Sequence, residues 1–205
     1  MQEPLKNILD QKILPVYSHS QTAMNKKVLA ACYKAGLRCF EFTNRNENAL
    51  DEFYSLQKYC ATELPGMILG AGTIKNEQHA EMFVSAGAAF LVSPLISAEL
   101  IEFTKRKQIA WIPGCGTASE VGLAENNGIN LVKVFPVKAL GGIEFIKALK
   151  GPFPGMTFMA TGGISADNDE IKKYLLNVNA VGIGNSFFAD EETEEQISIK
   201  LKSIL

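Results

Sequence analysis

Residues 110–135 read AWIPGCGTASEVGLAENNGINLVKVF and hold one complete repeat of the fold. It opens on a short apolar run (110–113) and closes on another (131–135), each of strand length. Between them, Thr117-x-x-Glu120 has the spacing of a capping box, which marks the start of a helix. Strand, helix and strand in that order form one parallel βαβ unit.

The alternation continues in both directions. Apolar runs stand at 13–17 (ILPVY), 39–43 (CFEFT), 67–72 (MILGAG) and 89–93 (AFLVS), and again at 157–161 (TFMAT) and 180–184 (AVGIG). Stretches of helical period separate them. Thr193-x-x-Gln196 repeats the capping spacing, and Ile197, Leu201, Ile204 and Leu205 then fall on one helical face. A short helix over about 4–10 precedes the first strand and is expected to cover the floor. Eight strand–helix pairs predict a single α/β domain over residues 1–205, a (β/α)₈ TIM barrel near the small end of the roughly 200–400-residue range. An open doubly wound sheet is the alternative, but no G-x-G-x-x-G follows the first strand. In a barrel, reactive side chains belong at the C-terminal strand ends and in the loops beyond them.

Composition narrows the function. The chain is 47% hydrophobic and 20% charged with a net charge of −2, so no basic surface for nucleic acid or anionic lipid is expected. The apolar stretch AGAAFLVSPLI is too short to span a bilayer, and no signal-peptide pattern opens the chain, so a cytoplasmic location is expected. Cys32, Cys39, Cys60 and Cys115 show no C-x-x-C pair and read as core residues. With only His19 and His79, an imidazole-based zinc site has little support, although carboxylates can also bind metal.

Two charges stand inside apolar strands. Side chains alternate along a strand, so Leu131, Lys133 and Phe135 share one face and Val132 and Val134 the other. The β-branched pair suits the helix-facing side, which turns Lys133 toward the barrel axis. Desolvation there favours the neutral amine, the form that adds to a ketone. By the same parity, Cys39, Glu41 and Thr43 point inward. Lys133 and Glu41 read either as catalytic groups or as a buried ion pair that fills the axis.

Nine short pieces then carry a resemblance. In order they are ILPVY, EFTNR (41–45), GAGT (70–73), Ser93–Pro94, IPGCGTASE (112–120), KVFP (133–136), Gly141–Gly142, GPFP (151–154) and TGGIS (161–165). Over almost its whole length the chain resembles the bacterial 2-keto-3-deoxy-6-phosphogluconate aldolase and 4-hydroxy-2-oxoglutarate aldolase family. The resemblance implies a metal-independent, cofactor-free carbon–carbon lyase that releases pyruvate through a Schiff base. It implies Lys133 as the imine-forming lysine and Glu41 as general acid/base. Arg45 and Thr73 would bind the substrate carboxylate, with Pro94 and Phe135 shaping the wall. Thr161, Gly162, Gly163 and Ser186 would hold the distal end, commonly a phosphate. A homotrimer is also implied. The chain departs from the family pattern at Ala160, at Asn185, at Val137–Lys138 and at Asn44. Two other readings are a phosphate-binding barrel isomerase or epimerase and a silent ligand-binding barrel.

Some residues are open to more than one reading. His19, in the loop after the first strand, reads as a substrate contact or as an idle loop residue. His79 reads as solvated, Cys115 as a wall residue in the loop after the fifth strand, and the run 190–195 as negative charge for the last helix.

Overall fold

A computed structural model describes all 205 residues. It is a closed barrel of nine parallel strand segments: β1 (Ile13–Tyr17), β2 (Cys39–Thr43), β3 (Ile68–Gly72), β4 (Phe90–Val92), β5 (Ala110–Ile112), β6 (Gly114–Cys115), β7 (Leu131–Val134), β8 (Thr157–Thr161) and β9 (Ala180–Ile183). The hydrogen-bonded order runs β5-β4-β3-β2-β1-β9-β8-β7-β6. Nine segments make eight staves. β5 and β6 are two halves of the fifth stave, parted at Pro113, which has no N–H to give to a ladder. The lower half pairs with β4, whereas Lys133 N–H donates to Pro113 O at 2.8 Å and Gly114 lies in register with Lys133. The break thus divides one stave between its two neighbours. Cys115, expected in a loop, belongs to that stave and is buried.

The strand parity read from sequence holds around the barrel. Leu14, Val16, Cys39, Phe90, Val92, Ala110, Ile112, Leu131, Met159 and Ala180 pack together along the axis. Phe40, Phe42, Leu91, Val132, Val134, Phe158 and Val181 pack outward against the helices. Helix α1 (Glu3–Gln11) closes the floor with fully buried Ile8, flanked by Leu5 and Leu9. Pro4 sits in its first turn, where a missing N–H costs nothing. Gln11 fastens this plug: its Nε2 donates to Ile13 O and Cys39 O, and its Oε1 accepts from Arg38 N and Cys39 N. At the other end of the chain, α9 (Glu194–Lys202) starts with a full capping box at Thr193 and Gln196. It packs against α2 (Thr22–Ala35) and completes the helical ring.

Glycines set the room inside. A Cβ on Gly70 would overlap the Phe90 ring, one on Gly72 the Glu41 carboxylate, and one on Gly182 the Thr161 hydroxyl. All three face the axis, so each leaves space for a larger side chain on an adjoining stave. No helix is long and apolar enough to cross a membrane.

Candidate active site

Lys133 stands on β7 and Glu41 on β2, both inside the upper half of the barrel. They are 4% and 1% exposed. Lys133 Nζ makes no hydrogen bond and no ion pair within 4.0 Å, so the buried salt bridge considered from sequence does not form. The ammonium instead lies 4.9 Å over the centroid of the Phe135 ring, which leaves the strand on the same face. Burial holds the Lys133 pKa below the ordinary lysine value; the Glu41 charge pulls it back up, and the Arg45 charge pushes it further down. Burial likewise raises the Glu41 pKa above the usual carboxylate range, against the lowering pull of Lys133 and Arg45. Both shifts move the pair toward neutral acid and neutral amine. Glu41 Oε2 is buried without a hydrogen-bond partner.

Above these two groups opens a cleft of about 400 Å³ at the C-terminal strand ends. Arg45, Phe135, Thr161, Gly162, Gly163 and Ser186 line it, together with Val16 and Pro136. Six of the ten residues named from sequence thus meet in one cleft, with Lys133 and Glu41 set in the strands beneath. Arg45 also borders a second, wholly polar recess with Thr73, Lys75 and His79. Its Nε lies 3.4 Å from Thr73 Oγ1. Thr73 holds φ at +59°, a left-handed conformation rare for a β-branched residue. Such strain persists only where the surroundings over-determine it, typically at a ligand site. Pro94 stands apart from the cleft, its carbonyl packed where a Gly114 Cβ would be. A larger cavity of about 760 Å³ lies at the opposite end, bordered by Leu5, Trp111 and Leu131, and contains none of these residues.

The distal side is made of backbone. Gly162 (φ +100°) and Gly163 (φ +83°) turn the chain after β8, and only glycine adopts these angles without strain. The N–H groups of Gly162, Gly163, Ile164 and Gly184 donate to no atom of the chain, and all four residues line the cleft. Unpaired backbone donors gathered in a turn are suited to an anion. Thr161 Oγ1, buried and unpartnered, lies beside them. Asn185, one of the departures from the family pattern, is turned toward β1: its Nδ2 donates to Ser18 O at 2.9 Å and ties the last turn to the β1 loop. Ser18 Oγ in turn shares a 2.6 Å hydrogen bond with Thr43 Oγ1, above Glu41 on β2.

The remaining candidates separate from the cleft. His19 Nδ1 accepts from Gln21 N, and its Nε2 faces Asp190 at 3.6 Å. His79 is half-buried with Nδ1 out of solvent, a correction to its reading as a solvated residue, because it packs into the first turn of α4 (Glu77–Ser85). Burial pushes the Cys115 thiol up to about 12, which suits a wall residue and not a nucleophile. The run 190–195 is only partly helix charge: Glu194 and Glu195 lie in the first turn of α9, while Glu192 takes Lys200 at 3.1 Å. Sequence reading missed Val16, Pro136 and Ile164 as lining residues; parity on β1 would have found Val16. The chain brings together no group of three His, Cys, Asp or Glu side chains able to hold a metal.

Comparison with known proteins agrees with this geometry. Residues 5–200 match the family model described as KDPG and KHG aldolase. The 2-dehydro-3-deoxy-phosphogluconate aldolase of Pseudoalteromonas atlantica is 38% identical over 165 residues, covering 80% of this chain and 74% of that protein. The KHG/KDPG aldolase of Escherichia coli K12 is 35% identical, covering 80% and 75%. Among solved structures, the Zymomonas mobilis ZM4 2-keto-3-deoxy-6-phosphogluconate aldolase with 3-phosphoglycerate superposes with a TM-score of 0.89 at 27% identity, covering 100% and 95% of the two chains. The Legionella pneumophila KDPG aldolase, with pyruvate captured as a covalent carbinolamine, gives 0.88 at 28% identity, covering 99% and 98%. Barrel, cleft and family model converge: the chain belongs to the KDPG and KHG aldolase family.

Proposed function

We propose that this single barrel domain cleaves a 2-keto acid to pyruvate and an aldehyde, with Lys133 as Schiff-base nucleophile and Glu41 as proton shuttle. The observation that carries the assignment is a buried lysine with no ion-pair partner, held toward its neutral amine beneath an open cleft. That amine attacks the 2-keto carbon, and loss of water from the carbinolamine leaves a protonated imine. When the C3–C4 bond breaks, its electron pair flows into the imine to give an enamine, and the C4 hydroxyl gives up its proton as the aldehyde leaves. Protonation at C3 and hydrolysis return free lysine and pyruvate. Glu41, kept partly as the neutral acid by burial, is suited to both taking and giving those protons. The trapped carbinolamine of the Legionella relative supports this route.

Arg45 and Thr73 are proposed to receive the carboxylate, since a guanidinium matches its two oxygens. Phe135 forms the wall, whereas Pro94, expected beside it, lies outside the cleft. At the distal end, Thr161, Gly162, Gly163 and Ser186 would take a phosphate, which the free N–H groups there favour. We therefore infer a preference for the phosphorylated 2-keto-3-deoxy sugar acid over 4-hydroxy-2-oxoglutarate. A lactate dehydrogenase-coupled assay for pyruvate across both substrates tests this. Equal kcat/KM values, unmoved by Ser186→Ala, would contradict the distal assignment. Four free, buried thiols support a cytoplasmic location, and a homotrimer is proposed from the family resemblance, to be tested by light scattering.

A further inference from the structure

Of the residues lining the cleft, Arg45 alone is charged, and its proposed task is the carboxylate at the other end of the substrate. The distal end therefore offers a phosphate dianion neutral donors only. Lys138, which stands outside the lining of the cleft, occupies one of the positions where the sequence leaves the family pattern. The turn that carries it is laced to the glycine loop. Val137 N–H donates to Thr161 O at 2.9 Å, and Lys138 N–H to Gly162 O at 3.1 Å. Its side-chain stem lies along Gly163, where an added Cβ would come within 2.7 Å of Lys138 Cβ and 3.4 Å of its Cδ.

The ammonium rests 3.3 Å from Glu170 Oε1. The other oxygen of that carboxylate accepts from Ser165 N–H at 3.1 Å and from the Ser165 hydroxyl. Glu170 thus fastens the end of the glycine loop and holds the lysine beside it. These bonds keep the Glu170 pKa below the usual range, so it stays charged; the Ser165 hydroxyl contributes most. With Lys138 57% exposed, this ion pair is a weak one, and the ammonium can turn from Glu170 toward an arriving anion at little cost.

We propose that Lys138 determines specificity at the distal end, supplying the positive charge that the backbone cradle lacks and waiting on Glu170 until substrate binds. This rests on the assignment of that end to a phosphate. The test compares 2-keto-3-deoxy-6-phosphogluconate with its unphosphorylated counterpart in the wild-type enzyme, Lys138→Met and Lys138→Arg, at low and raised salt. The wild type should favour the phosphorylated substrate. Lys138→Met should raise KM for that substrate about fivefold, the scale of one solvent-facing charge acting on a dianion. Its kcat, and both constants for the unphosphorylated compound, should be spared. Lys138→Arg should retain the preference, and the salt dependence of KM should flatten in the Met variant alone. An unchanged preference in Lys138→Met, or an equal fall for both substrates, would overturn the proposal. A wild type indifferent to the phosphate would remove the distal assignment itself, a result visible before any variant is made.

Discussion

Replacing Lys133 with Met should make the protein more stable while removing its chemistry. The ammonium is 4% exposed, unbonded, and outside ion-pair range of every carboxylate. Its lost hydration is repaid only by the Phe135 ring at 4.9 Å. Methionine has similar reach and suits the apolar setting made by Leu131 and Met159. Apolar replacement of uncompensated buried charge stabilises by about 1–3 kcal/mol. For a chain of this size that corresponds to a rise in Tm of roughly 3–10 °C. Glu41 loses an attractive neighbour in the variant, but burial already favours its neutral acid, so the gain survives. The pH dependence has a definite sign. Because the folded-state pKa of Lys133 is lowered, the native protein binds fewer protons here than the unfolded chain, and its stability rises with pH. The Met variant lacks that dependence, so its advantage should be largest near neutrality and fade toward the ordinary lysine pKa of about 10.4. Urea denaturation followed by circular dichroism at both pH values measures the difference. A loss of more than about 1 kcal/mol at neutral pH would mean instead that Lys133 holds the barrel together.

Three further outcomes follow from the same geometry. Glu41→Gln should slow turnover by roughly 10²–10⁴-fold while imine trapping persists. Because the Glu41 charge holds the lysine pKa up, the acid limb of the trapping profile should also move to lower pH in this variant. Arg45→Gln should move that limb the opposite way, since it removes a charge that lowers the lysine pKa. Arg45→Lys should raise KM for every 2-keto acid tested, because a point charge cannot grip both carboxylate oxygens or approach Thr73 Oγ1 as Nε does; an unchanged KM would place the carboxylate elsewhere.

Much of this arrangement was legible in the sequence because strand parity is a local rule. Val132 and Val134 mark the outward face of β7, and that alone turns Lys133 inward; Phe40 and Phe42 do the same for Glu41. What parity cannot supply is distance across the axis. Whether two inward charges touch depends on the stagger between staves, and here Lys133 and Glu41 stay beyond ion-pair range. The division of the fifth stave at Pro113 was hidden for a similar reason: a proline announces a missing donor, not which neighbour takes the carbonyl. Asn185 stands out in the sequence as a departure from the family pattern, but its rotamer, which ends on Ser18 O 167 residues away in the chain, is a tertiary fact. Gly70, Gly72 and Gly182 alternate visibly in the inward register. Their role as room for Phe90, Glu41 and Thr161 appears only once neighbouring strands are in place.

Borohydride reduction in the presence of pyruvate identifies the lysine that forms the imine. The intact protein should gain the mass of one reduced pyruvate, peptide mapping should place it on Lys133, and Lys133→Ala should gain nothing while remaining folded. Trapping that persists in Lys133→Ala, or maps to another lysine such as Lys138 or Lys75, would mean that Lys133 is not the nucleophile.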